Sequence, residues 1–236
     1  MASPSLISTA INVLAAPKDA FAAIRERPVP AFPLFIVLAG LVAVTAIYMN
    51  AVDLQWLIES QLRASAATAT MTDADIQRAA TAASQSPAFL ATVSSVSAAI
   101  VVTVIFVVFA LYLWGVSSIG HHGIRFIQAF ALVCWSSLPG LLTSVATIMN
   151  VLVTDATFMP AYERDPLSFG VLLGIEPATG SAAQQTLLGL DPIAFWTAGL
   201  MVVGYKSWSG KSLPVAAAIV LAPYVVLLAA SVASFL

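Results

Sequence analysis

The sequence predicts an all-α fold: a polytopic membrane helix bundle of five transmembrane helices, N-in and C-out, preceded by an amphipathic interfacial helix. Three observations predict it. Charged residues avoid five apolar stretches, the composition is too apolar for a soluble domain, and Lys and Arg favour alternate gaps between the stretches. At 60% hydrophobic residues, 8% charged residues and a mean hydropathy of +0.97, a 236-residue chain lacks the polar surface to face water all round, so lipid must cover part of it.

No acid or base lies between Arg27 and Asp53, between Arg78 and Arg125, between Arg125 and Asp155, between Asp191 and Lys206, or after Lys211. All but the fourth gap exceed the roughly 20 residues that cross about 30 Å of hydrocarbon. The spans fall at about 32–52, 97–118, 126–150, 190–208 and 213–235. In the fourth, Pro192 to Tyr205 covers only about 21 Å, so Asp191 is expected at one headgroup layer and Lys206 is expected to snorkel to the other, beside Tyr205 and Trp208.

Orientation follows from the bases. One side receives Lys18, Arg25, Arg27, Arg125, Lys206 and Lys211 against Asp19 and Glu26. The other receives Arg63, Arg78 and Arg164 against nine acids. The positive-inside rule then places the N-terminus in the cytoplasm and the C-terminus outside, which requires an odd number of spans.

Residues 1–31 repeat apolar positions at helical spacing, with Leu6, Ile7, Ala10, Ile11 and Leu14, then Phe21 and Ile24 after Pro17. Pro17 suits a first helical turn and Asp19 its positive end, giving a hairpin or bent helix on the cytoplasmic leaflet. The rival, a cleaved signal peptide, lacks a basic region, because the first 17 residues hold no Lys or Arg. In extracytoplasmic segment 53–96, Thr72 with Asp75 reads as a helix N-terminus, and Pro87 allows a new helix that extends span two above the bilayer. In segment 154–189, the apolar run Leu167 to Ile175 is too short to cross and is expected on the membrane surface or tucked against the bundle. Residues 32–236 form the membrane domain.

Candidate chemistry inside the spans rests on polar and helix-distorting residues. Span three carries Cys134, Trp135, Ser136, Ser137, Pro139 and Gly140; span five carries Pro223 and Tyr224. Proline frees a carbonyl and kinks the axis, and Ser136 or Ser137 can satisfy the backbone locally. The plain reading is a packed kink; the functional one is a hinge or groove. Small residues four apart, such as Ala39 with Ala43, Ala218 with Ala222, and Ala229 with Ala233, permit close helix contacts, expected within the monomer. Arg25, Arg27, Arg125, Lys206 and Lys211 are candidate contacts for anionic lipid headgroups, or plain insertion signals.

Several function classes are disfavoured. No span interior holds His, Asp, Glu, Lys or Arg, which removes the usual base for an intramembrane hydrolase and the usual relay for proton-coupled transport. His121 and His122 read as a solvated loop pair, since adjacent histidines diverge on a helix. A lone Cys134 excludes an internal disulfide framework and a thiolate metal cluster. No catalytic residue, cofactor or metal is expected, and no nucleic-acid partner.

The order of motifs resembles the bacterial branch of the Yip family, small Ypt/Rab-interacting-type proteins with five spans. The resemblance rests on Ala16-Pro17, Phe21, Ile24 and Pro28 before span one; Gln128, Trp135 and Leu138-Pro139 in span three; and Leu190-Asp191-Pro192, Phe195-Trp196 and Gly204 in span four. It implies a non-enzymatic role in membrane organisation or trafficking. Rab GTPases partner the eukaryotic members; the Ala-rich composition looks bacterial, so that partner does not carry over. The expected function is a membrane adaptor or scaffold in a bacterial cytoplasmic membrane, contacting lipids and a protein partner, with homo-oligomers possible. The alternative is a small permease or lipid-handling protein with a groove at the Pro139 kink.

Overall fold

The computed structural model describes residues 5–65, 68, 70–175 and 188–233, and every regular element among them is helical. Residues 176–187 of the expected 154–189 segment and the last residues of span five lie outside the described residues. Two short helices come first: α1, Leu6–Ala15, capped by the Ser5 hydroxyl, and α2, Pro17–Glu26, opened by its proline. The spans begin with α3, Ala31–Ala51.

After α3, α4 (Leu54–Ala64) and α5 (Asp73–Ser84) pair as a hairpin. The Thr72 hydroxyl accepts from the Asp75 N–H at 3.2 Å, as its spacing predicts. Helix α6, Pro87–Ile119, runs 33 residues, about 50 Å, so it overshoots the hydrocarbon as expected. Span three is two helices, α7 (Phe126–Ser136) and α8 (Gly140–Val153). A single turn, α9 (Phe169–Leu172), follows, then α10 (Pro192–Ser209) and α11 (Leu213–Ala233).

Four of these units are long and apolar enough to cross a membrane: α3, α6, the α7–α8 pair and α11. Helix α10 has 18 residues, but Tyr205, Lys206, Ser207, Trp208 and Ser209 make its last turns polar. It lies in the middle of the bundle, against α2, α7 and α11.

Packing joins α3 to α6 and α8, α6 to α7, and α11 to α10 and α6. One core gathers Phe21, Leu113, Leu132, Trp135, Met201 and Tyr205. A second lies at the other end, around Tyr48, Leu57, Val151 and Met159, where the Tyr48 hydroxyl donates to the Met159 carbonyl at 2.8 Å. The alanine pairs expected to pack within the monomer do not all do so, since Ala39, Ala218 and Ala229 face outward. Close approach comes instead from Gly40, where an added Cβ would lie 3.1 Å from Leu141 and 3.2 Å from the Ser144 hydroxyl.

Candidate functional site

The break in span three is tight and filled. Ser137 N–H bonds to the Cys134 carbonyl at 3.3 Å, Leu138 N–H to Trp135 at 3.4 Å and Gly140 N–H to Ser137 at 3.1 Å, so three-residue bonds carry the chain past Pro139. The Ser137 hydroxyl donates to the Val133 carbonyl at 2.9 Å, the local repair expected of a serine beside proline. Trp135, Ser136 and Pro139 are fully buried. Trp135 lies 5.9 Å from the Phe32 ring and donates through Nε1 to the Val29 carbonyl at 3.1 Å. Ser136 Oγ, also buried, has no hydrogen-bond partner among the described residues.

Pro223 and Tyr224 belong to a different place. Pro223 lies inside a continuous α11, and the Tyr224 ring sits 5.3 Å from Phe109 of α6. The α11 helix packs mainly on α10 and α6, so its proline is not brought together with the span-three break.

At the opposite end from α4 and α5, three side chains hold α2 and the link that follows it by their backbone. Trp208 Nε1 donates to the Phe21 carbonyl at 2.8 Å, Gln128 Nε2 to Arg25 at 2.8 Å, and Trp135 Nε1 to Val29. These acceptors are four residues apart in sequence. The last carbonyls of a helix have no partner within it, and here α7 supplies one to Arg25. Phe21 is fully buried, edge-on to Trp208 at 6.2 Å, and reaches the surface of Gly204, where a Cβ would strike the Phe21 ring and Leu132. The apolar face of α2 is thus part of the core, while Ile7 and Ile11 of α1 point outward.

The same end collects the candidate basic residues. Arg125 is the N-cap of α7, its N–H bonded to Gln128 Oε1 at 2.9 Å; Arg25 and Arg27 close α2; Lys206 and Lys211 flank the α10 terminus, which turns at Gly210 with a φ of 67°. His122 Nδ1 lies 3.0 Å from the Tyr205 hydroxyl. Burial holds the His122 imidazole below its ordinary pKa, with the Lys211 and His121 charges adding to the effect. His122 is thus tied to α10 rather than freely solvated, whereas His121 is exposed. Among the described residues no cluster of three or more His, Cys, Asp or Glu is placed to hold a metal. Tyr205 and Trp208, expected beside a snorkelling Lys206, are buried; an aromatic near a span end gives no sequence signal of which way it turns.

Asp191 caps α10 through a 2.7 Å bond from the Ala194 N–H and accepts from the Thr143 hydroxyl at 2.7 Å. Thr143 lies ten residues before the end of α8, so α10 begins about 15 Å short of it along the axis. The tucked Leu167 to Ile175 run covers that start: Phe169 N–H bonds to the Leu190 carbonyl at 2.8 Å and its ring lies 6.1 Å from Phe195.

This architecture is that of a polytopic α-helical membrane protein, with its motifs spent on joining α2, α7 and α10. The chain belongs to the Yip1 domain family, whose profile it matches over residues 11–235. No curated protein and no solved structure matches it in comparison.

Proposed function

We propose that the protein is a non-enzymatic membrane-organising or trafficking-type adaptor, built of five spans with α10 as the fourth and with its N-terminus in the cytoplasm of a bacterial cell. Residues 1–31 form its cytoplasmic interfacial segment and 32–236 its membrane domain. One observation carries the reading: α2 is fastened to α10 and α7 by two side-chain bonds and the link that follows it to α7 by a third, beside Arg25, Arg125, Lys206 and Lys211. The buried contacts make a fixed platform, and the bases on it face anionic headgroups and a protein partner.

A small permease or lipid-handling protein is the second reading, favoured by the unpartnered Ser136 hydroxyl at the break. The burial of Trp135 and Pro139 around it weighs against an open groove there.

The test is a photoreactive residue placed at Lys211 in the full chain in living cells, with Val108, exposed on α6, as control. The adaptor reading expects a discrete protein adduct at Lys211 and lipid adducts at Val108. The same adducts at both positions would overturn it. Neutralising Arg125, Lys206 and Lys211 should also lower the anionic lipid retained in native mass spectrometry.

A further inference from the structure

Helices α3 and α6 part over their halves nearest α4 and α5, leaving a groove of about 600 Å³. Its floor is made of small side chains, Ala46 on α3 with Ala91, Ser95, Ala99 and Thr103 on α6. The α6 residues recur every four positions and so form one line along the helix. Val96, Ile100 and Val104 stand exposed along its edge.

Ser95 differs from its polar neighbours. Thr92 and Thr103 donate to the carbonyls four residues back, each at 2.7 Å. Ser95 is 7% exposed and lines the groove, and its hydroxyl makes no hydrogen bond to any described residue. Its hydroxyl is open to the groove rather than sealed, and a donor facing a layer poor in water is relieved by an acceptor that enters the groove.

Depth identifies that acceptor. Counting back about 20 residues from the α6 terminus near Ile119 uses up about 30 Å of hydrocarbon and ends near Ala99. Ser95 then sits about 6 Å further out, within the interfacial layer that adds roughly 5–8 Å on each side of the hydrocarbon. From Ser95 to Val104 the groove runs about 14 Å inward, of which about 8 Å lies within the hydrocarbon, enough for the upper half of one acyl chain. We propose that this groove binds a glycerophospholipid of the leaflet on the α4–α5 side, one acyl chain lying along Ala99 and Thr103 and an ester carbonyl accepting from the Ser95 hydroxyl. A second copy packed by the same face would set Ser95 against Ser95, an arrangement that the cysteine test below detects.

The full chain in proteoliposomes of phosphatidylethanolamine and phosphatidylglycerol, doped with a phospholipid carrying a diazirine in one acyl chain, tests this. Crosslinks should concentrate on the α6 and α3 peptides that line the groove. Ala99→Phe, which fills the floor, should remove them while leaving those at the outward Val108 face. Ser95→Ala should weaken retention of the lipid about five-fold, the effect of losing one hydrogen bond. Ser95→Cys in a Cys134→Ser background, where a second copy in the groove would form a disulfide dimer, should stay monomeric. Undiminished groove crosslinks in a folded Ala99→Phe protein, or a disulfide dimer through Cys at 95, would overturn the proposal. Should Ala99→Phe fail to fold, Ala46→Leu serves the same comparison from the opposite wall.

Discussion

Gln128 holds Arg25 by its backbone: the Gln128 amide nitrogen donates to the Arg25 carbonyl at 2.8 Å while its oxygen accepts from the Arg125 N–H at 2.9 Å. One buried side chain thereby closes the end of α2 and opens α7. Neither partner is a side chain, so no substitution at Arg25 or Arg125 can replace it, save proline at 125.

Replacing Gln128 by Ala should therefore leave a part-buried carbonyl and N–H without this partner, at a cost of about 1–2 kcal/mol. Thermal unfolding in mild detergent should show a clear fall in midpoint. Arg25→Ala, which keeps the carbonyl, should change it far less; equal falls for both would contradict the role given to Gln128.

Gly204 allows Phe21 to reach α10, because a Cβ there meets both the Phe21 ring and Leu132. Gly204→Val should overpack this contact by about 1–3 kcal/mol and loosen the hairpin. Limited proteolysis should then cut between Ala16 and Pro30 at a protease dose that leaves the wild type intact. Unchanged proteolysis would mean that α2 does not depend on this approach.

Asp165 lies where burial, and then the nearby Asp191 carboxylate, raise its pKa above the ordinary aspartate value of 3.8, against the Leu167 N–H and Arg164, which lower it. The folded protein thus binds this proton more tightly than the unfolded chain. The stability it contributes is present below the ordinary value and is lost as pH rises through the raised one. Asp155 and Asp75, held low chiefly by Thr157 and Thr72, act with the opposite sign. The measurement is therefore a difference: Asp165→Asn should gain stability relative to wild type as pH rises from 4 to 7. A flat difference would contradict the burial of this carboxyl.

The proposed five-span, N-in topology would place α5 and the α10–α11 turn on opposite faces of the membrane, with the turn in the cytoplasm. In a Cys134→Ser background, Ala82→Cys should react with an impermeant thiol reagent applied to intact cells, and Ser212→Cys should react after lysis; both positions are exposed. Labelling of Ser212→Cys from outside would contradict the orientation, and labelling of both from one side the odd count between them.

Much of the helical layout was legible because charge is expensive in hydrocarbon: the gaps from Arg27 to Asp53 and from Arg78 to Arg125 contain all of α3 and α6. Pro17, Thr72 and Pro87 marked helix starts for the same local reasons that operate in the structure. The direction in which side chains turn was not legible. The sequence places Tyr205 and Trp208 only as neighbours of a snorkelling Lys206, yet they meet His122 and the Phe21 carbonyl. The Thr143–Asp191 bond joins residues 48 apart, and nothing in their local sequence predicts it. The alanine pairs matched a contact spacing, but spacing does not say which face of a helix meets a neighbour.

The central claim is that the protein works by holding partners and moves no solute or proton through its spans. Purified full-length protein in liposomes loaded with a pH-sensitive dye tests it most directly. An imposed proton gradient should decay at the rate seen in protein-free liposomes. Decay faster than that, dependent on the protein and altered by Ser136→Ala at the span-three break, would contradict the adaptor account and establish a transporter in its place.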